Sequence, residues 1–204
     1  MKNVDRYGEE VERGEYKKLT QREVNNILKY GADKDILSNC LLENIDFKSV
    51  NIDNLNFKNS ILRECIFENS KICNSNFQET ELWNVEFKKS NILNCNFQET
   101  KLYNSGFNSC DVKKNDFILS KFSNTTIFNS KLYSNNFELS EFLSCSGIKN
   151  VDGKNNKHLS SIYVNMGGAT HNEIKKNNET ILGQLGKDKR FFNKKSNREV
   201  AFER

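Results

Sequence analysis

Asn76-Phe77-Gln78-Glu79-Thr80-Glu81-Leu82-Trp83-Asn84-Val85-Glu86-Phe87-Lys88-Lys89-Ser90-Asn91-Ile92-Leu93-Asn94-Cys95 runs directly into Asn96-Phe97-Gln98-Glu99-Thr100, a near copy of its own opening, and Leu82-Trp83-Asn84 returns as Leu102-Tyr103-Asn104. The repeat is 20 residues long. Within it an apolar residue recurs at every fifth position. Outward from this stretch the series runs Leu42, Phe47, Ile52, Phe57, Leu62, Phe67, Ile72, Phe77, Leu82, Phe87, Ile92, Phe97, Leu102, Phe107, Val112, Phe117, Phe122, Ile127, Leu132, Phe137, Phe142. All 21 positions are apolar in a chain that is 36% hydrophobic, so chance does not account for the run.

Two residues before most of these positions sits a small side chain, as at Cys40, Ser60, Cys65, Ser70, Thr80, Ser90, Cys95, Thr100, Cys110, Ser120, Ser130 and Cys145. Asparagine is frequent two residues after, at Asn54, Asn59, Asn69, Asn74, Asn84, Asn94 and Asn104. A period of five matches neither the 3.6 of a helix nor the alternation of a strand. It requires a coil with five residues per side, and a 20-residue return makes that coil four-sided.

These residues resemble the pentapeptide-repeat family, whose loose pattern is Ala-(Asp/Asn)-Leu-X-X with Leu or Phe at the centre. The resemblance covers about Cys40 to Ser146 without a slip of register. It implies an all-β solenoid, a right-handed quadrilateral β-helix of about five coils. In such a helix the central residue and the small residue before it point inward. Ser, Thr or Cys stands here where Ala is usual, and an inward hydroxyl or thiol is expected to bond to backbone of its own coil.

Coils stacked through parallel backbone bonds pile identical positions into columns. The expected core is Phe47, Phe67, Phe87 and Phe107 on one wall facing Phe57, Phe77, Phe97 and Phe117 on another. Leu62, Leu82 and Leu102 fill the third wall, and Ile52, Ile72 and Ile92 the fourth. The chain has no proline, where average usage of about 5% predicts roughly ten. Proline would remove a donor from the stack, so its absence fits.

Three segments follow: 1–39, a tail with a capping helix; 40–147, the β-helix; and 148–204, a basic segment. Thr20-Gln21-Arg22-Glu23 has capping-box spacing, Val24, Ile27 and Leu28 follow at helical spacing, and Gly31 is placed to end a helix over residues 20–30. Residues 1–19 are expected to be loosely ordered. After Ser146 the five-residue register is lost at Gly147, and Lys154-Asn155-Asn156-Lys157 reads as loop. Leu159 to Val164 reads as a short strand and Glu179 to Leu185 as a marginal helix.

Little in the chain suggests catalysis. His158 and His171 have no ligand set beside them, and Gly167-Gly168-Ala169-Thr170 lacks the Lys-Ser/Thr ending of a phosphate loop. The six cysteines show no zinc or redox spacing and read as reduced core fillers. The expectation is a non-enzymatic protein without catalytic, metal or cofactor residues. No apolar run nears the roughly 18 residues of a membrane span, so a soluble, cytoplasmic chain with no membrane partner is expected.

Binding is the remaining class. The resembled family includes quinolone-resistance proteins that bind DNA gyrase or topoisomerase IV as mimics of duplex DNA, which implies a topoisomerase-directed resistance or self-immunity factor as the alternative to a general protein-binding scaffold. Duplex DNA carries about one negative charge per 1.7 Å, whereas residues 40–146 hold 11 basic and 13 acidic residues, a net of −2. That favours the scaffold. Its candidate protein-binding surface is Trp83 and Tyr103, at one outward position on successive coils, with Glu79 and Glu99. Ile118, Leu119, Phe128, Tyr133, Leu139 and Leu143 are outward apolar residues of the last coils, expected to meet the C-terminal segment through Ile162, Val164 or Ile181, or a second copy in a homodimer. From Lys149 on, 12 basic residues face 6 acidic ones, so a nucleic-acid contact through this tail is a further expectation.

Overall fold

The computed structural model describes residues 16–31, 35–145 and 156–157, together with the backbone of the strands at 152–154 and 162–164. It is a right-handed, all-parallel β-solenoid of about six turns with, among the described residues, one short helix. We name each wall by its first inward residue. The Leu42 wall is an eight-stranded sheet built of Lys17–Leu19, Cys40–Glu43, Ile61–Arg63, Glu81–Trp83, Lys101–Tyr103, Lys121–Ser123, Glu141–Leu143 and Ile162–Val164. The Ile52 wall has six strands, from Asn51–Asp53 to Asp152–Lys154. The Phe47 wall has four, from Ile66–Glu68 to Thr126–Phe128. The Phe57 wall consists of single bridges running Asn56, Asn76, Asn96, Asp116, Asn136, Lys157.

The register pairs Leu62 with Leu82 and Ile72 with Ile92, confirming a 20-residue turn. Inward phenylalanines stack face to face, Phe77 on Phe97 at 4.7 Å and Phe97 on Phe117 at 4.8 Å. The facing columns touch at Phe47 and Phe57, whose centroids lie 6.2 Å apart, edge to face. Stacking is favourable here because the coil spacing, about 4.8 Å, falls inside the range that aromatic pairs prefer.

Why a coil can turn a corner every five residues is visible in its backbone. Twenty-two non-glycine residues, one at every fifth position from Asn39 to Ser144, have φ between 49° and 59°. Half of them are asparagine, the non-glycine residue that most readily accepts the left-handed region. The Phe57 wall has a second device: the side-chain oxygens of Asn56, Asn76, Asn96, Asp116 and Asn136 accept from the backbone N–H two residues on, at 2.9–3.1 Å. These local bonds hold a tight turn where the other walls have strand.

The inward hydroxyls do more than bond within their own coil. Thr100 Oγ1 donates to the Phe77 carbonyl at 2.7 Å and Ser120 Oγ to that of Phe97 at 2.6 Å, each 23 residues back in the preceding coil. Only some, such as Ser90 on the Lys88 carbonyl at 3.0 Å, also reach their own coil. The small position thus stitches coils together, which alanine could not do. Asn115, Asn135 and Asn156 occupy it near the C-terminal end as a ladder, the Asn135 amide donating to the Val112 carbonyl at 2.9 Å while its oxygen accepts from Asn115 N–H at 2.9 Å.

All six cysteines are free and buried. Burial pushes the thiols of Cys65 and Cys95 up to about 12 and those of Cys110 and Cys145 up to about 11. In the unfolded chain they ionise near the ordinary 9.0. Their contribution to stability is therefore complete below that value and is lost as pH rises toward 11–12. We expect a denaturation midpoint that is flat from about pH 7 to 8.5 and falls steeply above 9, and native thiols that stay silent to a thiol-specific chromogen at about pH 8. Urea titrations across pH and a reagent assay with and without denaturant check both.

The helix is Gln21–Tyr30, with Thr20 and Glu23 forming the reciprocal box and Gly31 at φ 59° closing it. Hydrogen bonding from Thr20 to the Glu23 carboxylate lowers that group's pKa. Val24 is sealed against the first coil, and Gln21 exchanges two hydrogen bonds with the Asp46 backbone, at 3.1 and 2.7 Å. Two expectations are corrected at the ends. Lys17–Leu19, read as loosely ordered, is a strand paired with Cys40–Glu43, because Leu19 supplies one more inward apolar residue. Asp152–Lys154, read partly as loop, is a strand paired with Lys131–Tyr133 at an offset of 21 residues, and Ile162–Val164 keeps that offset against Glu141–Leu143. One inserted residue shifts the phase by one, so the five-step series misses Gly153 and Tyr163, which stand in register with Leu132 and Phe142. The stack therefore extends past 40–147 at both ends. Glu179 to Leu185, Ile181, His158 and His171 lie outside the described residues. No helix among the described residues is long and apolar enough to cross a membrane.

Candidate functional site: the Leu42 wall and its edges

The Leu42 wall, a parallel sheet with outward side chains every 4.8 Å or so, has the most strands of any sheet among the described residues. Tertiary structure gathers on it residues that the sequence presents in separate groups. Trp83 and Tyr103 stand in register on its outer face, and Leu143 lies two coils beyond Tyr103 in the same column. Glu79, Glu99, Leu119 and Leu139 all sit at left-handed corner positions spaced by one coil, φ 57–59°, two residues before Glu81, Lys101, Lys121 and Glu141 of the wall. They form one edge column, acidic above and apolar below.

Trp83, read from the sequence as part of a candidate protein-binding surface, offers little of its ring to a partner. Trp83 is only 4% exposed. Its ring stacks on Tyr103 at 4.0 Å and its indole N–H donates to Glu81 at 3.2 Å, while Glu81 also takes an ion pair from Lys101 at 2.9 Å. The phenol of Tyr16, just ahead of the first strand, has its pKa raised by burial and by the charge of Glu81. Trp83 is thus part of a packed upper wall.

Lower on the same edge the situation reverses. Leu119 is 52% and Leu139 50% exposed. Glu99 and Glu79 are exposed too, and Glu79 pairs with Lys58 at 3.3 Å. The remaining outward apolar residues do not join them. Ile118 is half-buried on the Phe57 wall and Phe128 is exposed on the Phe47 wall. Tyr133, on the Ile52 wall, carries the Lys113 ammonium 5.6 Å from its ring centroid. Leu143 lies on the Leu42 wall, its backbone in register with that of Val164 in the last strand. The six therefore fall on four walls and make no single patch.

Trp83 and Leu119 are both outward and apolar but hold different places in the five-residue unit: Trp83 directly follows an inward residue on a strand, whereas Leu119 sits at a left-handed corner. Residue type does not show that Tyr103 covers Trp83 from the next coil. Among the described residues no group of three or more His, Cys, Asp or Glu side chains is placed to hold a metal.

The geometry defines a four-walled parallel solenoid with side-chain columns on a flat exterior. The family model for pentapeptide repeats matches residues 36–69 and 65–104, with eight copies of the repeat. Residues 36–104 of the chain are thus pentapeptide repeats of that family. No curated protein matches it. Among solved structures it is similar to QnrB1, a plasmid-mediated fluoroquinolone resistance protein, in two trypsin-treated forms. One is 17% identical, with 65% of this chain and 64% of that one covered and a TM-score of 0.44. The other is 15% identical, with 70% and 82% covered and a TM-score of 0.46. A pentapeptide repeat protein from the Arabidopsis thaliana thylakoid lumen is 14% identical over 52% of this chain and 71% of that one, with a TM-score of 0.30. The chain thus spans 64% of the length of the first QnrB1 form. At these identities the likeness concerns fold alone.

Proposed function

We propose that this chain is a non-enzymatic scaffold that docks a protein partner along the Leu42 wall, with Leu119 and Leu139 as its anchors. One observation carries the reading: two leucines hold a left-handed backbone and are half exposed there. A left-handed residue other than glycine or asparagine costs about 1–2 kcal/mol, and exposed leucine contributes nothing to the core. Folding thus gives no reason for leucine at either place, whereas an apolar anchor at an interface does. Glu99 extends the edge, beside the Glu79–Lys58 pair, and suits a partner whose apolar residues are flanked by a basic one.

The test is the pair L119N and L139N. Each is expected to raise stability by about 1 kcal/mol, read by urea denaturation, while the double variant loses a partner that cross-links to the unsubstituted protein in cells. Unchanged cross-linking by the double variant would remove the edge from consideration.

The topoisomerase-directed alternative is weaker on charge. Glu79, Glu99, Asp116 and Glu138 are the acidic residues of the Phe57 wall, and Glu79 is already paired with Lys58. DNA gyrase supercoiling, measured with and without a quinolone, is expected to be unaffected by micromolar protein. Inhibition or drug protection would reverse the ranking.

A further inference from the structure

The opposite edge of the Leu42 wall holds a polar notch that nothing so far explains. Its floor is Gly106, in register between Glu86 and Thr126 on the outward column of the Phe47 wall. Neighbouring coils carry side chains at this position, and Gly106 carries none. The gap has a volume of about 320 Å³ and is rimmed by Asn84, Asn104, Asn124 and Asn108. A Cβ built on Gly106 would lie 2.6 Å from Thr126 Oγ1, so the threonine hydroxyl leans into the gap. The Glu86 carboxylate is exposed and has no ion-pair partner among the described residues.

The composition of this notch is specific. It presents the Glu86 carboxylate, a threonine hydroxyl and asparagine side chains across three successive coils, and no cationic side chain lines it. It is also small: ligand pockets span about 300–1,000 Å³, so its volume suits a single side chain rather than a cofactor. A planar guanidinium, with five donors in a fixed fork, satisfies a carboxylate and neighbouring oxygens together, whereas an ammonium reaches them as a point charge. We infer that the Gly106 notch is a receptor for an arginine side chain of the docked protein, held by Glu86 with the Asn84, Asn104 and Asn124 column. The inference rests on the protein-docking reading and gives that partner a second anchor across the wall from Leu119 and Leu139.

The probe is N-acetyl-arginine amide, titrated into the ¹⁵N-labelled full-length chain, with N-acetyl-citrulline amide as an uncharged analogue of the same shape and N-acetyl-lysine amide as a point-charge control. Saturable shifts are expected at the amides of Gly106 and Thr126, with arginine bound more tightly than lysine and citrulline silent. E86Q is expected to weaken the arginine probe about tenfold. G106A, which places a methyl in the gap and asks only that the Thr126 hydroxyl rotate, is expected to abolish it. Equal shifts from arginine and citrulline, or binding unchanged in both E86Q and G106A, would overturn the inference. These outcomes are independent of the cross-linking of the L119N/L139N protein. A failed notch therefore leaves the leucine edge standing, and a failed leucine edge leaves a positive arginine titration intact.

Discussion

Phe97→Asp is expected to leave the chain without a cooperatively folded stack. Phe97 is fully buried between Phe77 and Phe117 at the middle of the solenoid. Truncating a buried phenylalanine costs about 3–5 kcal/mol, and placing a carboxylate among aromatic rings with no cation in reach adds several more. A typical domain has about 5–15 kcal/mol in total. Stacked repeats also depend on their nearest neighbours, so a defect at the centre uncouples the coils above from those below. The expected readout is loss of the far-UV strand signal and of thermal cooperativity. Phe97→Leu, which keeps the position apolar, is expected to cost about 1–3 kcal/mol and to fold. A folded Phe97→Asp protein of unchanged midpoint would mean that the column does not hold the stack together.

A second buried carboxylate, Val24→Asp, is expected to act locally. Val24 is the one fully buried residue of the helix, and the helix with the Lys17–Leu19 strand closes the N-terminal end of the stack. Undocking them uncovers the edge of Cys40–Glu43 and the upper face of Phe47. An uncovered strand edge templates pairing with another chain. The expected outcome is concentration-dependent association in sedimentation velocity. Amide protection should be lost at residues 17–31 and 40–43 and kept around Phe97. Loss of protection throughout would mean that the cap nucleates the stack rather than closing it.

The contrast between the two variants follows the one-dimensional character of the fold, and so does the legibility of its sequence. The central inward residue of every five-residue unit from Leu42 to Phe142 could be named beforehand, because a regular coil converts chain position directly into wall and direction. The Thr20 to Gly31 helix was equally plain, since its signals are local: a reciprocal cap, an apolar stripe and a left-handed stop. The reading failed where one inserted residue after Cys145 changed the phase. A search in fixed steps of five cannot follow such a shift, although the backbone absorbs it and resumes pairing.

The surface was less legible. Trp83 and Leu119 are both outward and apolar, yet the first, on a strand, is packed on Tyr103 and the second, at a left-handed corner, stands open. Gly106 reads as one more irregular residue of a repeat until its neighbours in register, Glu86 and Thr126, turn the missing side chain into a notch.

Periodicity in the chain was enough to specify the coil, its four walls and its buried columns, because inward packing repeats at a constant interval and each choice is made within five residues. Which outward residues are covered, which share an edge, and where a gap opens depended on contacts between residues 20 or more apart. Those contacts come from the stacking of coils, and exposure is a property of the assembled column rather than of any residue in it.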